Sequence, residues 1–347
     1  MTAPMVQSTR TRPQMPAGRK YVWSYRIGDE VHGGMKARLD SVAFLRGSGQ
    51  WNVFDTGTLG PLPVRAAQFA VALFWLLRQP RDSVFFVQYP AHGPRIQRLV
   101  ARILYYRFRT VALLHDLDEL RTTTTVISRP VLRKAAAIVS TGLLHERIPG
   151  ELAGKPISFL EIWDYRVGPA FRPGGWDPAG PILYAGTLWP LKVSWLYRPD
   201  PGRPALLLRG HGYDTARDPG CGDTFAGPFE SDDPVFDPPA SWGLVWDGAK
   251  LGSDDTEADY ERINQPHKLS LYLACGLPVI VWSEGRAAEW VLRNGCGITT
   301  PSLAAIPETL ARVTPAEHAA MQERAQAIGE DVRAGRHLLD ALARLGF

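Results

Sequence analysis

The sequence predicts an α/β protein of two consecutive halves, each a parallel sheet flanked by helices, facing one another across a central cleft. Three observations predict it. Short apolar runs rich in Val, Ile, Phe and Trp alternate with longer helical stretches, the pattern of βα units. The alternation is interrupted midway by FRPGGWDPAGP, Phe171 to Pro181, too dense in Pro and Gly for an element interior and read as a linker. At 347 residues the chain is also long for a single core. The expected division is a disordered tail at 1–20, a Rossmann-like domain at 21–172, a second at 173–330, and a C-terminal helix at 331–347.

In the first half the strands are expected at Tyr21 to Tyr25, Trp51 to Asp55, Val84 to Tyr89, Val111 to His115 and Ala137 to Ser140. In the second they fall at Ile182 to Ala185, Ala205 to Leu208, Gly243 to Trp246, Pro278 to Trp282 and Gly297 to Thr299. The last helical run, about Pro315 to Leu345, has no strand after it and is expected to return toward the first domain. The most lipophilic stretch, FAVALFWLL from Phe69 to Leu77, is shorter than the roughly 20 residues a membrane span needs. A helix lying on a bilayer is one reading of it; on length, a buried core helix is preferred.

Hydrophobic residues at 45 % and charged residues at 21 % describe a folded globular chain. A net charge of +4 is too mild for the concentrated basic stripes of nucleic-acid binders, but it favours anionic substrates or an anionic membrane surface. Cys221, Cys275 and Cys296 form no CxxC pair, and the Thr/Pro/Arg-rich start lacks the apolar core of a signal peptide. A cytoplasmic protein, peripheral at the inner face of the membrane, is expected.

In open parallel sheets ligands bind beyond the carboxyl ends of strands, so candidate residues are sought there. The densest stretch is NQPHKLSLYLACGLPVI, where Asn264 and Pro266 precede His267 and Lys268 at the start of an apolar helix. Free backbone N–H groups and an adjacent ammonium suit a diphosphate; the alternative is an ordinary helix start with a solvated lysine. ILYAGTLWPLK places Gly186 at a strand end, where backbone can approach a ligand closely, and Lys192 just after it as a second cation. VALLHDLDELR places His115, Asp116 and Asp118 at a strand end of the first half, as a sugar contact and a general base or as structural caps. Gly33 and Gly34 suit a tight turn against an acceptor or sugar, and Asp247 ends the WGLVWDG strand within reach of a sugar or ribose hydroxyl. SDDTE at 253–257 reads as a solvated loop, and no metal site is assigned. Neither a dinucleotide GxGxxG nor a Walker motif is present.

These segments resemble a bacterial glycosyltransferase family that includes β-1,6-galactofuranosyltransferases of surface polysaccharide synthesis and related adhesin-modifying glucosyltransferases. The resemblance runs from GGMKARLD through LLHDLDELR, the FLEIWDY strand, ILYAGTL, the FAGPF turn and GLVWDG to NQPHKLSLYLACGLPVIVW, covering about residues 31 to 300. It implies a GT-B fold, a UDP-sugar held mainly by the second domain, no cofactor and no metal requirement. Lys268 and Lys192 would hold the diphosphate, Asn264 would line the same pocket, Gly186 would lie under the phosphates, and His115 and Asp116 would face the sugar. One position departs from the wider GT-B pattern: Leu271 stands where many such enzymes carry a ribose-gripping glutamate. Hexose transfer to a glycan acceptor, free or lipid-linked, is the implied activity, and the resemblance is compatible with a homo-oligomer. A non-catalytic glycan- or partner-binding subunit and a nucleotide-sugar epimerase are the competing readings.

Overall fold

The computed structural model describes residues 19–26, 33–58, 62–91, 95–115, 129–174, 177–200, 202–246 and 256–347. The expected tail up to residue 18, Asp116, Asp118, Asp247 and most of the SDDTE loop lie outside the described residues.

The first half is a six-stranded sheet ordered β2-β1-β3-β4-β5-β6, from β1 (Lys20–Arg26), β2 (Asn52–Thr58), β3 (Val84–Tyr89), β4 (Arg109–Leu114), β5 (Ala137–Thr141) and β6 (Ile157–Leu160). The second half is another, ordered β12-β11-β10-β7-β8-β9, from β7 (Ile182–Thr187), β8 (Leu206–His211), β9 (Thr224–Phe225), β10 (Trp242–Val245), β11 (Val279–Trp282) and β12 (Gly297–Thr300). Every ladder in both sheets is parallel. Helices therefore cover both faces, and the strands read as continuous apolar runs rather than alternating ones. In the second sheet the order reverses between β7 and β10, the switch point where such sheets open a ligand crevice.

In the first half α1 (Gly33–Gly47) packs on one face of the sheet, through Ala37 and Leu45 against Val22 and Phe86. On the other face lie α2 (Leu62–Arg78) and α3 (Arg95–Arg107), where Ala72, Leu76, Val100 and Leu104 meet Trp23, Phe85 and Ala112. The short α4 (Pro149–Leu152) precedes β6. The second half carries α5 (Thr256–Ile263), α6 (His267–Ala274), α7 (Arg286–Asn294), α8 (Ile306–Ala311), α9 (Pro315–Ala334) and α10 (Arg336–Arg344).

Three expectations are corrected. The helix expected as one run from Pro315 is two, broken at Gly335, whose φ of 75° lies in the left-handed region that ends helices and whose missing side chain leaves room for the Phe44 ring. The break turns α10 back onto the first half, as expected, where Leu338 and Leu342 join the core of Val22 and Phe86 and Arg344 donates to the Phe159 carbonyl at 2.7 Å. FLEIWDY is strand only through Leu160; the rest is an irregular crossover between the two sheets. Finally, α2 is not a buried core helix. Ala72 and Leu76 are buried, but Val71, Phe74 and Leu77 on the opposite face are exposed. The sequence is apolar on all sides of this helix, and the sheet covers one of them.

Candidate functional site

The site is assembled from the carboxyl end of β7 and the start of α6. Tyr272 of α6 accepts a hydrogen bond from the Ala185 N–H at 2.8 Å, and its ring lies over Gly243 of β10, where a Cβ would come within 2.3 Å of it. This seats α6 across the switch point. Lys268 lies one turn before Tyr272 on the same helix face, so it is brought over the next residue of β7, Gly186. A Cβ on Gly186 would meet Lys268 Cε at 3.4 Å, and the backbone there has φ of 133°, which side-chain-bearing residues rarely adopt. The Lys268 ammonium is 5.1 Å from the centre of the Tyr184 ring.

The first turn of α6 opens after Pro266 with no side-chain cap, leaving its N–H groups to other partners. Around it, Gln265 Nε2, His267 Nε2 and Ser270 Oγ are buried without a hydrogen-bond partner among the described residues. Buried polar groups are ordinarily paired. Unmet hydrogen-bonding capacity therefore surrounds an uncapped helix start, whose N–H groups and the nearby Lys268 ammonium suit an anionic ligand.

The first half contributes His115, which follows β4. Gln88 Nε2 donates to the Arg38 carbonyl at 3.1 Å, so its Oε1 faces His115 Nε2 at 2.5 Å. The proton of that contact is therefore assigned to Nε2, and in the neutral ring the basic lone pair belongs to Nδ1. The His115 ring stacks on Trp163, with centroids 4.7 Å apart, and Trp163 Nε1–H donates to the Gln265 carbonyl at 2.9 Å. One indole thus connects the end of β4 to the residue before Pro266.

Behind this bridge lies a cluster that the sequence reading did not identify. Lys36 of α1 is buried and donates to Asp40 at 2.7 Å, to the Arg166 carbonyl at 2.6 Å and to Asp232 at 2.8 Å, while lying 4.7 Å from the Tyr165 ring centre. Asp40 also accepts the Arg166 N–H at 2.9 Å. Burial pushes the Asp40 carboxyl up to about 6 against the attraction of Lys36. Tyr165 packs on His267, whose imidazole is pushed down to about 3 by burial and by Lys36, against a hydrogen bond with the Asp164 backbone. His267 is therefore neutral at physiological pH. Asp164 accepts the N–H groups of His337 and Leu338 at 3.2 and 2.8 Å, fixing the start of α10. Trp163, Asp164, Tyr165 and Arg166 are thus each tied to a different element.

The structure brings Gly186 and Lys268 together and connects His267 to His115 through Trp163. Asn264 is half-buried just after α5, and Lys192 is exposed on the loop leaving β7. Gly33 and Gly34 are the first residues of α1, two turns or less from the Lys36–Asp40 pair. That pair had one local signal, opposite charges four apart in a helical segment.

Residues 182–345 match the family model described as Glucosyltransferase 3-like, C-terminal domain. The β-1,6-galactofuranosyltransferase WbbI of Escherichia coli K12 is 25 % identical over 89 % of this chain and 93 % of its own length. Glucosyltransferase 3 of Streptococcus gordonii is 24 % identical over 66 % of this chain and 68 % of its own. Among solved structures, sucrose-phosphate synthase from Thermosynechococcus elongatus superposes with a TM-score of 0.57 at 15 % identity, covering 94 % of this chain and 99 % of that one. HepE of Anabaena, in complex with UDP-glucose, gives 0.56 at 14 % identity, covering 93 % and 99 %. The architecture is the two-domain GT-B fold.

Proposed function

We propose that the chain, which is similar to a β-1,6-galactofuranosyltransferase and to glucosyltransferases of the GT-B fold, transfers a hexose from a UDP-sugar to a hydroxyl of a glycan acceptor in surface glycan or glycoconjugate synthesis. The observation that carries the reading is Lys268 lying over Gly186 at the uncapped start of α6. A diphosphate seated there meets backbone N–H groups, an ammonium and a strand end with no side chain to block it.

In the proposed reaction the bond between the anomeric carbon and the diphosphate oxygen breaks as the acceptor oxygen bonds to that carbon. The negative charge growing on UDP is stabilised by Lys268 and the α6 N–H groups, with Lys192 as a second cation, so no metal is required. The acceptor proton passes to His115 Nδ1, with the neighbouring Asp116 as partner. Asn264, His267 and Asp247 complete the proposed donor pocket. His267 acts there as a neutral hydrogen-bonding group rather than a cation, since its ring stays unprotonated.

Titration of the purified chain with UDP and UDP-hexoses, with and without EDTA, tests the reading, because a ligand of the native state raises its stability by mass action. Stabilisation that persists in EDTA and is lost in Lys268→Ala is the expected result. A shift that vanishes with EDTA removes the metal-independent mechanism. Silence toward all uridine nucleotides, with a response to NAD, turns the reading to an epimerase.

A further inference from the structure

We propose that the outer face formed by α2 and α3 seats this protein on an anionic phospholipid bilayer. The two helices lie side by side on the same face of the first sheet. In α2 every exposed residue between Pro63 and Leu77 is apolar, with Val71 70 %, Phe74 59 % and Leu77 57 % exposed. At 100° per residue these exposed positions, starting at Pro63 and Val64, occupy one continuous arc of the helix, opposite buried Ala72 and Leu76. A helix apolar on both sides is ordinarily buried on both.

The neighbouring α3 presents a different face. Its exposed residues are Arg95, Arg98, Leu99, Arg102 and Tyr106, a single stripe at helical spacing. Across their full lengths α2 and α3 contain six arginines and no Asp or Glu. In the last turn of α2 the Arg78 guanidinium lies over the Phe74 ring at 3.3 Å, its charge closing the C-terminal end of the apolar arc. An apolar arc flanked by acid-free basic residues is the chemistry of a surface that inserts shallowly between lipids while its arginines meet phosphates.

Charge decides between occupants. A second copy docked face to face would set these arginines against their equivalents with no carboxylates on either helix to offset them. A bilayer with anionic headgroups supplies both the apolar layer and the opposite charge. The placement also has a consequence. Because α2 follows β2, it starts at the carboxyl end of the sheet, the side on which the sugar site lies, so a bilayer against it borders the cleft.

The test is flotation of the full chain with vesicles of phosphatidylcholine alone or with added phosphatidylglycerol, and it requires no turnover. Capture by the anionic vesicles only, weakened by salt, is expected. Phe74→Glu with Leu77→Glu, and separately Arg98→Glu with Arg102→Glu, should each reduce capture by roughly tenfold or more. Circular dichroism confirms that the variants remain folded, and UDP binding, read separately, should be unchanged. Failure to float, equal capture by neutral vesicles, or capture that survives both pairs of substitutions overturns the proposal. A dimer in sedimentation equilibrium that Phe74→Glu dissociates, without vesicle binding, assigns the face to a second copy instead.

Discussion

Replacing Lys268 by Met removes one charge from the site and little else. The methionine chain ends about where Lys268 Cε rests beside Gly186, so that contact is preserved and only the ammonium disappears. On the protein side, the interaction with the Tyr184 ring at 5.1 Å is lost, worth about 0.5–1 kcal/mol at a partly exposed position. Melting should therefore shift by a few degrees at most. On the ligand side a charge-assisted hydrogen bond to the diphosphate is lost, worth about 1.5–3 kcal/mol. At about 1.4 kcal/mol per decade, UDP should bind roughly 10- to 150-fold more weakly. Calorimetric titration measures this directly, with uridine as the control, because it carries the base and ribose without phosphates. Uridine affinity should be unchanged. If Lys268→Met binds UDP within twofold of the native chain, the ammonium does not touch the diphosphate and the assignment fails. If uridine and UDP weaken together, the substitution has disturbed the pocket rather than the phosphate contact.

Other residues yield expectations of different kinds. Lys36→Met leaves the Asp40 carboxylate buried without its cation, and urea denaturation should show a loss of about 3–5 kcal/mol. Lys36→Met combined with Asp40→Asn should recover part of that loss; a double variant no more stable than the single one would mean that the pair does not act as a unit. His267 carries a pH signature. Its folded pKa of about 3 lies below the ordinary 6.5, so the unfolded chain takes up a proton across that interval while the folded one does not. The resulting contribution is intact above pH 6.5 and is lost as pH falls toward 3. Asp40, pushed up to about 6, titrates in the opposite sense but is common to both proteins. His267→Gln should therefore show a shallower acid decline than the native chain by about one proton. Identical slopes would place His267 in contact with water.

Much of the fold was legible because both sheets are parallel and covered on both faces. β3 reads VFFVQY, apolar and buried except for the polar Gln88 and the partly buried Tyr89, and its ends were located to the residue. β6 was expected only where the FLEIWDY stretch overlaps it, at Phe159 and Leu160, and β9 was not expected at all, for one physical reason. They are edge strands, short, with Phe159 exposed in one and both residues exposed in the other, so neither produces a buried run. The two chief residues of the proposed donor site were each visible locally, Gly186 as a strand-end glycine and Lys268 as a cation at a helix start. Their contact was not, because it depends on Tyr272 meeting the Ala185 N–H across 87 residues of chain. Lys36 has partners 130 and 196 residues away and gave no signal beyond Asp40. The face of α2 left in water could not be read from a segment that is apolar all round.

The segments carrying the family resemblance converge between the two sheets. GGMKARLD supplies Lys36 and Asp40, FLEIWDY supplies Trp163, Asp164 and Tyr165, and NQPHK supplies Gln265, His267 and Lys268. This assigns them a geometric role: the proposed base and the proposed phosphate site belong to different halves, and Trp163 sets their spacing by stacking on His115 while bonding the Gln265 carbonyl. Trp163→Phe keeps an aromatic ring beside His115 but removes the only donor on the indole. The Gln265 carbonyl then loses a buried partner, at a cost of about 1–3 kcal/mol. The proposed phosphate contacts come from Lys268, Gly186 and the α6 N–H groups rather than from the indole, so UDP should bind as before. Transfer should slow, since displacing a reacting group by about an ångström can cost about a hundredfold in rate. A parallel fall in UDP affinity and transfer rate would show instead that Trp163 supports the nucleotide pocket itself, and alignment of the two halves would then rest on the Lys36 cluster and the packing of α10.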